Sequence, residues 1–273
     1  MSARVIHGLD ALPPELRGSV VAVGDFDGVH LDHQATIALL LPEAERRART
    51  PLVVATRDAA SPVRITPPAE EDRLLVALGV TRILLVEEPV AAEQLTRAVS
   101  PSFVIAVPDA AGDMTARVRA MLAEGDIAAA AALLGYRWFA RGEVIHGDKR
   151  GRELGFPTAN IALAPSTPLR HGVYAVRVRR AGEILDGVAS FGVRPTFGGG
   201  APVLEVFLFD FAGDLYGDTL EVAFVAWIRP ELSFDGIAPL VARIREDESE
   251  ARRILATAGP GSDLDQRLAA TNP

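Results

Sequence analysis

The chain has 273 residues, 49% of them hydrophobic, which is enough for two ordinary domains that each bury a core. Its formal net charge of −8 argues against a general nucleic-acid or anionic-membrane surface, because such surfaces need a basic face. Cysteine is absent, which excludes disulfides and thiolate metal sites.

The amino-terminal residues lack the apolar core of a secretory signal. The longest uninterrupted apolar run, 127–134, is far too short to cross a bilayer. We therefore expect a cytoplasmic protein with no membrane partner and no nucleic-acid partner.

The first half of the chain alternates short β-branched runs with helical stretches. This alternation predicts a Rossmann-like parallel sheet flanked by helices, an α/β domain over residues 1–136. Gly135 is suited to end the last helix. The predicted strands are 19–23, 52–55, 82–86 and 103–107, and the predicted helices are 33–47, 69–78, 91–98 and 114–134.

After Tyr136 the pattern changes to strands separated by glycine turns, which favours a small antiparallel barrel over residues 137–273. Apolar residues at helical spacing predict a closing helix over 237–256, and the tail from 259 to 273 is expected to be loosely held. The predicted strands are 141–146, 172–179, 184–191, 203–209 and 219–227.

One loop carries glycines, three basic side chains, a proline and small polar residues. Glycines let backbone N–H groups approach phosphate oxygens, and the basic side chains supply the opposite charge, so the loop predicts a nucleotide site. Neither the Gly-Lys-Ser/Thr phosphate loop nor a Gly-x-Gly-x-x-Gly turn is present. The loop reads Gly147-Asp148-Lys149-Arg150-Gly151-Arg152-Glu153-Leu154-Gly155-Phe156-Pro157-Thr158-Ala159-Asn160.

Thr158 and Asn160 are two residues apart, so in an extended segment both side chains leave the same face, toward one ion or phosphate. Pro157 stiffens the approach to them by fixing φ. The alternative is an ordinary polar turn, since proline, threonine and asparagine are common turn residues.

Glu205 lies within an otherwise apolar run, 203–209. An unpaired carboxylate is costly to bury, so Glu205 is expected to face a cavity or a partner. The alternative is an outward side chain on a solvated face, because strand alternation turns every second residue outward.

These residues closely resemble the riboflavin kinase module of the bacterial bifunctional riboflavin kinase/FAD synthetases, whose phosphate and Mg²⁺ site is built around a Gly-Phe-Pro-Thr-Ala-Asn segment. The resemblance implies a six-stranded barrel. It continues, in the family's order, through Arg170-His171-Gly172-Val173-Tyr174-Ala175, Gly192-Val193-Arg194-Pro195-Thr196-Phe197, Leu204-Glu205-Val206, Asp210-Phe211 and Gly213-Asp214-Leu215-Tyr216-Gly217.

What the resemblance implies is ATP-dependent phosphorylation of the ribityl 5′-OH of riboflavin, giving FMN and ADP with Mg²⁺ as the metal. It implies that Thr158 and Asn160 help to bind Mg²⁺ and ATP and that Glu205 is the catalytic base. At Ser190 this chain departs from the family, where asparagine is common. The implied flap over the phosphates consists of Gly147, Asp148, Lys149, Arg150, Gly151 and Gly155, and the implied cofactor-binding residues also include Phe156 and Pro157.

In the first half, the segment 24–34 resembles the nucleotidyltransferase signature of the FAD synthetase module, in which two histidines at a helix start meet the triphosphate. His30 and His33 keep the spacing of the two histidines. Asp32, however, replaces the usual glycine between them and brings negative charge to the position where the triphosphate would bind. The family's later serine pair is missing from 112–119, and 104–109 runs almost directly into the final helix.

These three departures predict a degenerate nucleotidyltransferase site and a chain that makes FMN with little or no FAD. Two alternatives stay open: an active bifunctional enzyme that tolerates Asp32, and a non-catalytic flavin or nucleotide sensor. The sequence gives no indication of the oligomeric state.

Overall fold

The computed structural model describes residues 3–57, 63–87, 91–108, 110–147, 151, 154–193 and 202–270. Contacts between residues divide the chain into two compact units. The α/β unit comprises 1–118, 133–135 and 263–271, and the barrel unit comprises 119–132, 136–262 and the last two residues. The domain boundary between 136 and 137 stays a prediction.

The α/β unit contains a five-stranded parallel sheet, which confirms the Rossmann-like expectation. Residues 52–55 are all fully buried, and since successive side chains point to opposite faces, both faces of the sheet are covered there. The strands are β1 (Arg4–His7), β2 (Val20–Gly24), β3 (Pro51–Arg57), β4 (Arg82–Glu87) and β5 (Phe103–Ala106), in the order β1-β4-β3-β2-β5.

The helices of this half match the predicted stretches except at one point. The single helix expected over 114–134 is two helices, because Gly125 has a φ of +81° and ends the first of them. The helices are α1 (Leu31–Arg46), α2 (Pro68–Ala77), α3 (Ala92–Val99), α4 (Ala110–Glu124) and α5 (Ile127–Leu134).

The barrel unit contains a closed barrel of six antiparallel strands, as the resemblance implied. Its interior is filled by large apolar side chains that are almost fully buried, among them Tyr174, Phe191 and Phe224. The strands are β6 (Phe139–Ile145), β7 (Ala159–Ala162), β8 (Gly172–Arg180), β9 (Glu183–Val193), β10 (Pro202–Leu208) and β11 (Thr219–Arg229), in the closed order β10-β7-β6-β11-β8-β9.

The closing helix, α6 (Ile237–Thr257), covers part of the barrel's outer face and packs on β8, β9 and β11. A cluster of buried apolar residues joins helix and strands there: Val173, Ala175, Val188, Phe209, Ala251 and Leu255. This cluster continues into the partly buried Phe207, so the outer face of β10 lies at the edge of the same layer.

The tail is ordered differently from the expectation. Residues Asp263–Ala270 form a further helix, α7, whose Leu264 and Leu268 are buried within the α/β unit. Two leucines four residues apart give a short helix an apolar face, and burial of that face accounts for the ordered segment. No helix among the described residues is both long and apolar enough to cross a membrane.

Candidate functional site

The register of the barrel brings three polar side chains from three strands into one row. Glu205 of β10 lies directly opposite Asn160 of β7 on one side and Ser190 of β9 on the other. Directly opposed residues share a face of the sheet, with Cβ atoms about 5 Å apart. We call this set the polar row (Asn160, Glu205, Ser190). It joins residues that lie far apart in the sequence.

The polar row lies on the outer face of the barrel. The buried residues Leu204, Val206 and Leu208 alternate along β10 with the half-buried Glu205 and Phe207. Phe207 packs against the α6 cluster, so Glu205, on the same face, points to the helix side. The structure therefore favours the cavity-facing alternative for Glu205 over an outward side chain on a solvated face.

A cavity of about 560 Å³ contains Ser190, Glu205 and Thr158 in its lining. Phe156 and Phe207 meet edge to face in its wall, with ring centroids 5.4 Å apart. Its volume and its mixture of apolar walls with a few polar groups suit a mid-sized organic ligand. The remaining lining residues are Gly151, Leu154, Val173, Val188, Ala189, Gly192, Arg229, Glu231, Leu232, Phe234, Leu240, Ile244 and Asp247.

A second cavity, of about 330 Å³, shares Thr158 with the first. It includes Pro157, Asp214 and Tyr216, and the ring of Tyr216 lies 4.0 Å, centroid to centroid, from that of His146. The two cavities thus have one residue in common, and Thr158 lies where ligands in the two cavities would come closest. This arrangement suits a reaction between two substrates.

The loop before Thr158 is closed by its own backbone. The carbonyl of Gly151 accepts hydrogen bonds from the N–H groups of Leu154, at 3.2 Å, and Phe156, at 2.8 Å. A side chain at Gly151 would collide with the Phe156 carbonyl, and Gly155 has a φ of +87°, so both positions require glycine. Asp148, Lys149 and Arg150 lie outside the described residues, and the phosphate flap stays a prediction.

Asn160 is held so that its amide oxygen is available. Its Nδ2 donates to the Thr158 carbonyl at 3.4 Å, and its side chain packs against the α-carbon of Gly147, where no larger residue fits. Thr158 Oγ1 and Asn160 Oδ1 are hard oxygen donors of the kind that Mg²⁺ prefers. Since Mg²⁺ usually keeps water and phosphate ligands, two protein oxygens fit it, and the described residues hold no cluster of three His, Cys, Asp or Glu for another metal.

A buried ion pair forms part of the cavity wall, and sequence reasoning missed it. The guanidinium of Arg229, at the end of β11, donates to the carboxylate of Asp247 on α6 through Nε, at 2.8 Å, and Nη2, at 2.6 Å. Arg243 lies 3.2 Å from the same carboxylate. Asp247 follows Leu240 and Ile244 at helical spacing. An acidic residue on an otherwise apolar helix face is the feature of the sequence that could have indicated this ion pair.

In the α/β unit, His30 and His33 are fully buried and stacked, with ring centroids 3.6 Å apart. His30 Nε2 lies 3.1 Å from Thr115 Oγ1, whereas His33 Nδ1 has no hydrogen-bond partner among the described residues. Burial, and secondarily the neighbouring His30, lowers the pKa of His33 to about 2. Asp32 is half-buried in the first turn of α1.

The segment before the histidines is fixed by buried carboxylates. Asp27 accepts a hydrogen bond from the backbone N–H of Ile65 at 3.0 Å, and burial raises its pKa. The fully buried Glu71 pairs with Arg57, at 2.9 Å, and Arg64, at 2.6 Å. These two arginines line the unit's cleft of about 1150 Å³, but their charge is already compensated by carboxylates.

Comparisons with known proteins address both units. The riboflavin kinase family model matches residues 134–255, and the FAD synthetase family model matches residues 12–88. Three bacterial relatives are each named bifunctional riboflavin kinase/FMN adenylyltransferase. The Escherichia coli protein is 34% identical over 94% of this chain and 98% of its own length, the Bacillus subtilis protein 32% over 91% and 96%, and the Listeria monocytogenes protein 31% over 87% and 92%.

Among solved structures, a Streptococcus pneumoniae chain described as a macrolide-efflux protein is similar throughout. It has a TM-score of 0.78 and 27% sequence identity, and the match covers 92% of this chain and 99% of that one.

The Arg229–Asp247 pair should be important for the stability of the barrel unit. Replacing Asp247 by alanine leaves Arg229 buried without its partner, and we expect a loss of about 3 kcal/mol in the free energy of unfolding. Urea denaturation monitored by tryptophan fluorescence measures this loss, because both tryptophans, Trp138 and Trp227, belong to the barrel unit. The neighbouring Glu246→Ala, 65% exposed, is the matched control, and equal midpoints for the two variants would contradict the assignment.

The stacked histidines predict an acid-sensitive α/β unit. Since the folded-state pKa of His33 lies far below its ordinary value of 6.5, unfolding takes up a proton below that pH. The contribution is fully present above pH 6.5 and is lost, by about 1.4 kcal/mol per pH unit, as the pH falls toward the folded-state pKa.

Urea unfolding read by pulsed hydrogen exchange on β2 and β3 peptides, at pH about 7 and about 5, measures this dependence. His33→Gln should reduce the pH dependence by roughly one proton, and His7→Gln, at an exposed position, is the control. Equal pH dependence in wild type and His33→Gln would show that His33 is not the titrating group.

Proposed function

The chain belongs to the bacterial bifunctional riboflavin kinase/FMN adenylyltransferase family, and we propose that its barrel transfers the γ-phosphoryl group of ATP to the ribityl 5′-OH of riboflavin. The observation that carries the proposal is the polar row in the wall of a largely apolar cavity, beside a second cavity that shares Thr158. One ligand is an aromatic ring system with a hydroxylated chain, and the other is a nucleotide. The two cavities match that division.

The acceptor end of the reaction is assigned to Glu205. A half-buried carboxylate in the cavity wall is suited to accept the proton of a primary alcohol as its oxygen bonds to phosphorus. The 5′-oxygen attacks the γ-phosphorus, the bond to the β–γ bridging oxygen breaks, ADP departs, and the proton passes to Glu205. The apolar lining from β10 and α6 accommodates the isoalloxazine ring.

The donor end is assigned to Thr158 and Asn160 as ligands of Mg²⁺ and ATP. Mg²⁺ held by these two side chains would neutralise the negative charge that develops on the phosphoryl group during transfer. The amide orientation of Asn160 supports this role, because its Nδ2 is engaged by the Thr158 carbonyl and its oxygen is left for the ion.

For the α/β unit we propose little or no FAD synthesis. The two histidines expected to meet a triphosphate are fully buried, and His33 is held neutral by that burial. Asp32 adds negative charge in the first turn of α1, where an anion would otherwise be favoured by the helix dipole. An active adenylyltransferase is the second candidate, favoured by the family match over 12–88 and by the names of the relatives.

A flavin product assay separates these functions. Purified protein with riboflavin, ATP and Mg²⁺ should accumulate FMN, and with FMN and ATP it should release no pyrophosphate above the no-enzyme level. Robust FAD formation would contradict the proposal for the α/β unit and support the bifunctional enzyme. Tight flavin binding without any FMN would contradict the kinase and support a sensor.

Glu205→Gln tests the role of the carboxylate. The amide keeps the shape but cannot accept the proton, so kcat should fall by about 10²- to 10⁴-fold with little change in the KM of either substrate. Steady-state FMN production measures it, and Glu183→Gln, at an exposed position on β9, is the control. Unchanged turnover in Glu205→Gln would reject the assigned base.

A further inference from the structure

We propose that Ser190 is a specificity-determining residue that binds the ribityl 4′-hydroxyl, next to the 5′-hydroxyl that reacts. The proposal rests on the proposed kinase function and deepens it, because it assigns the part of the substrate that the barrel recognises through its hydroxylated chain. The observation behind it is the place of Ser190 in the polar row, on the side of Glu205 away from Asn160.

The position of Ser190 follows from the strand register. Ser190 of β9 faces Glu205 of β10, and on its other side it faces Val173 of β8. Adjacent strands are about 4.8 Å apart, so the row leads from the metal side at Asn160, through the reacting alcohol at Glu205, to Ser190. A chain bound with its terminal hydroxyl at Glu205 and its ring away from the phosphates passes over Ser190.

The chemistry of Ser190 suits a hydroxyl ligand. Its Oγ can donate and accept, and no described residue hydrogen-bonds it in this structure. Its side chain is partly buried beside Val173 and Val188 in the cavity wall, so a bound ligand that displaces water would leave the hydroxyl unsatisfied unless the ligand supplies a hydrogen bond. The ribityl 4′-hydroxyl supplies that hydrogen bond.

Among the described residues, the other polar side chains of the cavity lining leave this role open. Arg229 and Asp247 are bound to each other. Thr158 lies at the junction with the second cavity, and Glu231 lies on the exposed stretch after β11, with its carboxylate against the α-carbon of Gly192. Ser190 is the neutral hydrogen-bonding neighbour of Glu205 on the flavin side.

The test is a thermodynamic cycle that compares wild type and Ser190→Ala, each with riboflavin and with 4′-deoxyriboflavin. With riboflavin, Ser190→Ala should lower kcat/KM by about 3- to 10-fold, the range for one neutral hydrogen bond, and leave the KM of ATP unchanged. With 4′-deoxyriboflavin, wild type and Ser190→Ala should be equal, because the partner hydroxyl is absent. Ser249→Ala, on the exposed face of α6 and outside the cavity lining, is the matched control.

The same cycle is also measured as riboflavin binding in the presence of ADP, by quenching of flavin fluorescence, so that it does not depend on turnover. Equal losses with both flavins would show a packing effect and overturn the proposal, as would no loss with riboflavin. If wild type binds flavins in this pattern but makes no FMN, the kinase function fails while the Ser190 assignment stands. If wild type makes FMN and the cycle shows no coupling, only the Ser190 assignment fails.

Discussion

The site depends on the closure of the barrel in a single register. Closure fixes which residues of β10 face inward. Because Leu204, Val206 and Leu208 are buried in the barrel, strand alternation places Glu205 on the outer face. A slip by one residue would exchange the two sets, placing a carboxylate in the barrel core at a prohibitive desolvation cost. The same register places Asn160 and Ser190 on either side of Glu205. The apolar residues that fold the barrel therefore also assemble its polar row.

Helix α6 forms part of the wall of the cavity that Glu205 and Ser190 line. Its apolar face joins the cluster on β8 and β9, and its Asp247 is fixed to Arg229 at the end of β11. A buried ion pair offers little net stability compared with apolar packing, yet it fixes geometry because either partner alone would be costly. In this chain it anchors the helix that supplies Leu240 and Ile244 to the cavity wall.

Local patterns in the sequence predict most elements, because alternation and turn composition are local properties. The roles of Thr158, Asn160 and Glu205 are implied by the family resemblance and stay predictions. Local patterns do not predict the pairing of Glu205 with Ser190 or the Arg229–Asp247 contact, since both depend on register and packing between distant segments. The break at Gly125 went unrecognised because alanine-rich sequence on both sides favours helix, and β1 is too short to show alternation. The burial of His30 and His33 also could not be derived from their spacing, which is compatible with an open site.

The two units contrast in how they treat their ionisable groups. The barrel keeps Glu205 half-buried in a cavity wall, whereas the α/β unit encloses His30 and His33 and pairs Arg57 and Arg64 with the buried Glu71. The most direct measurement of the central claim is a crystal structure of the protein with ADP, Mg²⁺ and riboflavin. The account predicts that the ribityl 5′-hydroxyl donates a hydrogen bond to the Glu205 carboxylate, and that Mg²⁺ is bound by Thr158 and Asn160. A flavin bound elsewhere, with Glu205 turned to bulk water and Thr158 and Asn160 far from any ligand oxygen, would contradict it.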